Sequence, residues 1–212
     1  MPSGRSDPSA LRAAGEPAIE LTSLDAAAAW HRIADSLAAA AGSSRHPFHL
    51  LSLATVNADG AAEARTVVLR GFDEPKREVR FHTDARSGKA AAIRRDARVS
   101  LHWYAPEMKL QIRIPATASI HHADDIALHA WRASPPMSRA CYTAAHAPGE
   151  PLASFPAAPS APAAGDDTGL ANFCVVRCRF DSVELLTLHA AGHERVRIDV
   201  ASTPVTWTIL AP

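Results

Sequence analysis

Neither sign of charge dominates this sequence: 22 Lys and Arg balance 22 Asp and Glu over 212 residues. The missing basic excess argues against a dedicated nucleic-acid-binding or membrane-surface protein, whose footprint would be a positive patch. Cysteine is scarce as well. Three cysteines cannot build a disulfide framework, and none falls in a C-x-x-C pair. Cys174 and Cys178 stand four apart in a strand-like run and so share one face. They suit small buried hydrophobes in a reducing compartment better than metal ligands. The first 17 residues have no apolar core and do not read as a signal peptide. Internal repeats are absent, and no uncharged apolar run is long enough to span a bilayer. The expected location is therefore the cytoplasm.

What is present is a set of changes in period. Residues 1–22, rich in Pro, Ser, Gly and Ala, form an expected mobile tail before a single domain over 23–212. From Asp25, a candidate cap, Trp30, Ile33 and Leu37 fall on one helical stripe that Gly42 ends. The period then drops to two. Phe48 to Val56 and Glu63 to Arg70 flank an Asn-Ala-Asp-Gly turn and predict a hairpin. Gly71 to Pro75 predicts another turn, Glu78 to Thr83 a strand, and Ser87 to Arg95 a short helix. Further strands are expected at Val99–Tyr104 and Lys109–Ile120, and further helices at Asp124–Ala133 and Met137–Thr143. The Ala-, Pro- and Gly-rich stretch 144–170 predicts a long surface loop. Phe173 to Leu188, Arg195 to Val200 and Val205 to Leu210 predict three closing strands. The sum is a mainly β protein, a β-barrel with helical decorations.

Nearly all the basic residues are arginine, whose planar fork matches phosphate and carboxylate. Arg65 and Arg70 bracket Thr66-Val67-Val68-Leu69, on opposite faces of one strand unless a bulge intervenes. The next strand ends at His82-Thr83, and Asp84 to Lys89 turns into a helix. A strand feeding a helix start offers free amide N–H groups and a positive dipole end. Ser87, Lys89 and Arg86 add donors and charge. A phosphate site and a solvated turn both fit these residues. His82 suits either a ligand contact or a solvated face. His121, His122, Asp124 and Asp125 look like a metal cluster, but adjacent strand histidines point apart, so no metal site is expected. Cys141 lacks an evident base and does not read as a nucleophile.

The order of three motifs resembles the pyridoxamine 5'-phosphate oxidase-like FMN-binding family. These are Arg65 to Gly71 (R-x-V-x-L-[KR]-G), Phe81 to Lys89 (F-[YF]-T-[ND]-x-x-S-[RG]-K), and Leu110-Gln111-Ile112-Arg113 (a relative of R-Q-[VI]-R). The resemblance covers roughly residues 28–143, and the closing Trp207 to Pro212 is similar too. It implies an FMN-binding split barrel: a homodimer with FMN at the subunit interface and a small-molecule substrate. It implies Arg65 and Lys89 on the phosphate, Thr83 and Ser87 beside it, Thr66, Val67, Val68, Leu69 and Arg70 along the ring, and contacts from His82 and Gln111.

The substrate half departs from the family. Ser138 is kept, but the family's Tyr is absent and Ser134 stands where its Arg belongs. The C-terminal R-L-H-D-R run is here Arg195-Val196-Arg197-Ile198-Asp199, without the Trp expected before it. Arg70, Ser138, Arg195 and Arg197 are the candidate substrate contacts. The function implied is an FMN-dependent oxidoreductase acting on an unassigned small substrate. The rivals are a true pyridoxamine 5'-phosphate oxidase and a non-catalytic flavin- or haem-binding split barrel.

Overall fold

A computed structural model describes residues 19–158, 160, 163, 165–190 and 192–212. Helix α1 (Ala26–Gly42) opens where Asp25 accepts the Ala28 N–H at 2.8 Å. Its stripe of Trp30, Ile33 and Leu37 is buried, and Trp30 meets Phe72 and Phe180 edge-on. The first 18 residues of the expected tail lie outside the described residues. The last four are packed, which corrects that boundary: Ile19 and Leu21 are buried, and the Leu21 N–H donates to the Glu194 carboxylate at 2.7 Å.

Strands β1 (Leu50–Val56) and β2 (Ala62–Val68) form the expected hairpin. Asn57 Oδ1 holds its turn by accepting the N–H groups of Asp59 and Ala61. The Gly71–Pro75 turn is a correction. Gly71–Asp73 is a strand, β3, paired with β4 (Glu78–Asp84), and the tight turn shrinks to Glu74–Arg77. Phe72 decides this, because strand pairing opposite Val79 holds its ring against Trp30 and Phe180.

Helix α2 (Gly88–Arg95), strands β5 (Arg98–Ala105) and β6 (Leu110–His122), and helices α3 (Asp125–Ala133) and α4 (Pro136–Ala140) follow. Helix α4 stops three residues short of the expected Thr143. After the 144–170 stretch come β7 (Phe173–Arg179), β8 (Ser182–His189), β9 (Gly192–Asp199) and β10 (Thr206–Leu210). The single strand expected over 173–188 is thus two. Both run antiparallel to β6 along the same edge. From Arg113 to Thr117 β6 advances four residues, while its partner advances five, from Glu184 back to Arg179. That one-residue bulge flips the buried parity from Val176, Cys178 and Phe180 to Val183, Leu185 and Thr187.

The segment from β2 into β3 pairs with β1 at one end and β4 at the other. It closes a circuit β1–β2/β3–β4–β7–β6–β5–β1, and β8, β9 and β10 extend the sheet from β6. Inside lie Leu53, Phe81, Leu101, Trp103, Ile112 and Val176, all essentially without solvent contact. The Trp103 indole N–H donates to the Phe48 carbonyl at 2.9 Å. Trp131, Phe173, Val175, Ala127 and Ala130 form a second cluster. Cys174 and Cys178 are buried, which pushes their thiols up to about 11 and about 12. Among the described residues no helix is long and apolar enough to cross a membrane.

Ile112 is fully buried on β6. Ile112→Ala should cost about 2–5 kcal/mol. A urea titration should show a lower midpoint at unchanged slope.

Candidate functional site

The site forms where β4 stops. Ser87 caps α2: its hydroxyl accepts the Ala90 N–H at 3.4 Å, donates to the Asp84 carbonyl at 2.7 Å, and lies 3.3 Å from Thr83 Oγ1. The Lys89 ammonium donates to Thr83 Oγ1 at 3.1 Å. Burial lowers its pKa first, and the nearby Arg65 charge adds to the effect. A partly dehydrated cation beside two hydroxyls at a helix start is a setting that an anion relieves.

A cavity of about 400 Å³ opens beside this turn. Strand β2 lines it with Thr66, Val67 and Val68, followed by Arg70. His82 and Thr83 come from β4, and Lys89 from α2. The opposite wall is Met137 and Ser138 of α4 with Cys141 and Tyr142 just beyond it. Among the described residues no carboxylate lines the space, while Arg70 and Lys89 both do. Burial first, then the charges of Arg70 and Arg80, pull the His82 pKa down to about 4. The imidazole is therefore neutral near pH 7, edge-on to Phe173 at 4.8 Å, with Nε2 buried and unpartnered among the described residues. Burial raises the Tyr142 phenol, while the Arg70 charge opposes it.

The other expected contacts lie elsewhere. Leu69 is in the core, and Ser87 sits behind Thr83 as the helix cap. Arg65 stands outside the lining, donating to the Glu63 carboxylate and to Thr55 Oγ1, both at 2.6 Å. Gln111 lies on β6 opposite Leu186 and Tyr104. Arg195 donates to Glu184, and Arg197 is exposed on β9. Within one chain, none of these three lines the cavity. Ser134 donates to the Ala130 carbonyl, and Arg139 covers the Trp131 ring at 5.5 Å. His121 engages Asp124 while His122 meets the Ala171 carbonyl, as strand alternation requires.

Sequence reasoning missed Met137, Cys141 and Tyr142. The first two recur four apart on one face of the short helix, the only periodic sign available. Cys141 is an exposed thiol, unlike Cys174 and Cys178.

Residues 27–122 match the family of the pyridoxamine 5'-phosphate oxidase FMN-binding domain. A pyridoxine/pyridoxamine 5'-phosphate oxidase of Rubrobacter xylanophilus is 42% identical over 66 residues, 31% of this chain and 30% of that protein. Its Thermobifida fusca counterpart is 47% identical over 55 residues, 25% of this chain and 24% of that protein. This chain thus aligns with less than a third of either relative's length. A pyridoxamine 5'-phosphate oxidase-related, FMN-binding protein of Nostoc punctiforme is similar in structure. Its TM-score is 0.69 at 25% identity, over 86% of this chain and 96% of that one. PhzG of Burkholderia lata, solved with tetrahydrophenazine-1-carboxylic acid, shares the fold with a TM-score of 0.63 at 21% identity. That match covers 87% of this chain and 89% of PhzG.

The depressed His82 has a consequence for stability. Its folded pKa of about 4 lies below the ordinary 6.5, so the unfolded chain binds the proton first as pH falls. Stability should decline from about pH 6.5 towards pH 4, and His82→Gln should flatten that slope in denaturant midpoints of ligand-free protein.

Proposed function

We propose that this chain, a member of the pyridoxamine 5'-phosphate oxidase-related FMN-binding split-barrel family, holds FMN in the β2–β4–α4 cavity and serves as an oxidoreductase on a small substrate. One observation carries the reading. The cavity has a partly buried Lys89 with Thr83, backed by the Ser87 cap at the start of α2, Arg70 farther along, apolar side chains between, and no carboxylate among the described residues of its lining. Its size suits a cofactor-sized ligand. A dianionic phosphate matches the first group, and a planar ring matches the slot between β2 and α4.

Bound FMN would supply hydride acceptance from substrate. The chain's own residues bind and orient. Lys89, Thr83, Ser87 and the first amides of α2 hold the phosphate, and Arg65 strengthens the positive potential from behind. Thr66 to Val68 present backbone along the ring. Arg70 sets a fixed cation where negative charge gathers. Neutral His82 offers a hydrogen-bonding nitrogen without adding charge. The Met137–Tyr142 wall excludes water from the opposite side.

Gln111, Arg195 and Arg197 lie outside the lining of one chain, and their part in such a site is assigned to a second copy. The exposed Leu50, Tyr104 and Ile209 supply apolar surface for the homodimer this requires. Activity on pyridoxamine 5'-phosphate itself is expected to be weak, because Ser134 and Arg139 are committed to Ala130 and Trp131. The cytoplasm is the expected setting.

Freshly purified protein should be yellow and should elute as a dimer in light scattering. Lys89→Ala should weaken FMN about 10–100-fold in fluorescence titrations, and Arg65→Ala should weaken it less. Colourless protein that also ignores added FMN would overturn the reading.

A further inference from the structure

We infer that Arg86 is a positioning residue that staples the segment running on from the Cys141–Tyr142 wall of the cavity to the phosphate-binding turn and so fixes the width of the ligand slot. The inference rests on the FMN reading for its consequence, though not for its geometry. By position Arg86 looks like one more cation for the phosphate, beside Ser87 and Lys89. The structure spends it otherwise. Nε and Nη2 fork onto the Asp84 carboxylate at 3.0 and 2.7 Å. Nη2 and Nη1 then donate to the carbonyls of Ala144 at 3.0 Å and Ala145 at 3.1 Å. All three guanidinium nitrogens are thereby engaged. Asp84 is itself buried and also accepts the Arg86 backbone N–H at 2.8 Å, which fixes the base of the fork.

Those carbonyls lie two and three residues past Tyr142. A second link runs parallel to the first: Asn172 Nδ2 donates to the Tyr142 carbonyl at 2.8 Å, and the Ala85 N–H donates to the Asn172 carbonyl at 2.7 Å. The wall leans on Gly169, where a Cβ would stand 2.9 Å from the Trp131 ring and 3.0 Å from the Tyr142 backbone. Residues 141–149 belong to no strand or helix. Apart from short local turns, side-chain links tie this segment to the rest of the protein, and Arg86 holds two consecutive carbonyls of it. A ligand at Thr83, Ser87 and Lys89 therefore meets a wall already tied to the turn that grips its phosphate.

Charge and fork can be separated with Arg86→Ala and Arg86→Lys. FMN affinity is read by fluorescence, wall protection by hydrogen exchange of the 141–150 peptide with and without FMN, and slot closure by iodide quenching of bound flavin. Lysine keeps the charge but cannot span Asp84 and two carbonyls at once. Both variants should bind FMN within about threefold of the parent. Exchange at 141–150 should quicken about tenfold or more in both, and iodide should reach the flavin more readily. Unchanged exchange over β5 and β6 will show that the barrel is intact. The proposal is overturned if Arg86→Ala alone loses FMN while exchange at 141–150 stays slow, which would make Arg86 a charge ligand. Unchanged exchange and affinity in both variants overturn it equally. Should the parent fail to bind FMN, the functional reading fails, while exchange in the ligand-free proteins still decides the staple.

Discussion

Strand β6 has to satisfy three neighbours with one backbone, and the rest of the fold follows from how it does so. Its first part pairs with β5 on one side and β8 on the other, and its last part pairs with β7. The period of two along Leu110, Ile112 and Ile114 fixes which face of all three partners turns inward. The partner edge cannot serve both the closed circuit and the extension in one register. The extra residue at Phe180–Asp181 resolves this, by letting β7 stay with β4 while β8 leaves to meet β9. The bulge thus divides barrel from flap without breaking the chain's course along β6.

Three arginines near the cavity have three different fates, decided by the nearest oxygen. Arg65 is drawn aside by Glu63 and Thr55, and Arg86 by Asp84 and two carbonyls. Arg70 pairs with no carboxylate among the described residues and stands in the lining. Lys89 is partly buried and donates to the Thr83 hydroxyl, and its burial costs free energy in the ligand-free protein. The chain's formal neutrality therefore hides a local excess, created by where its acids are committed rather than by their number. An anion entering this space meets charge that has already lost part of its water, so less desolvation remains to oppose binding.

Much of this was legible in the sequence. The Trp30–Ile33–Leu37 stripe with its Asp25 cap, the β1–β2 hairpin, the alternation of β4 and β6, and the short helix from Ser87 to Arg95 are local signals with local causes, and the structure keeps each of them. The cavity lining from Thr66 to Lys89 was legible for the same reason, since strand end, turn and helix start are neighbours in sequence. The errors share a different character. Gly71–Asp73 resembles a turn until Phe72 finds Trp30 and Phe180 from distant segments. The 173–188 run alternates well enough to hide a one-residue shift that only pairing reveals. Tyr142 joins the site through contacts with Phe173 and Asn172, some 30 residues on, which no window of sequence contains.

The cysteines, too few for a disulfide framework, give the molecule an unplanned asymmetry. Two are sealed in β7 with thiols held far from ionisation, while Cys141 stands exposed on the cavity wall. Thiolate chemistry therefore has one address on the folded protein. A maleimide dye or a spin label would settle there without mutagenesis, placing a reporter at the mouth of the slot. Oxidative damage would begin at the same atom, so handling of the purified protein without reductant would alter the site before it altered the fold.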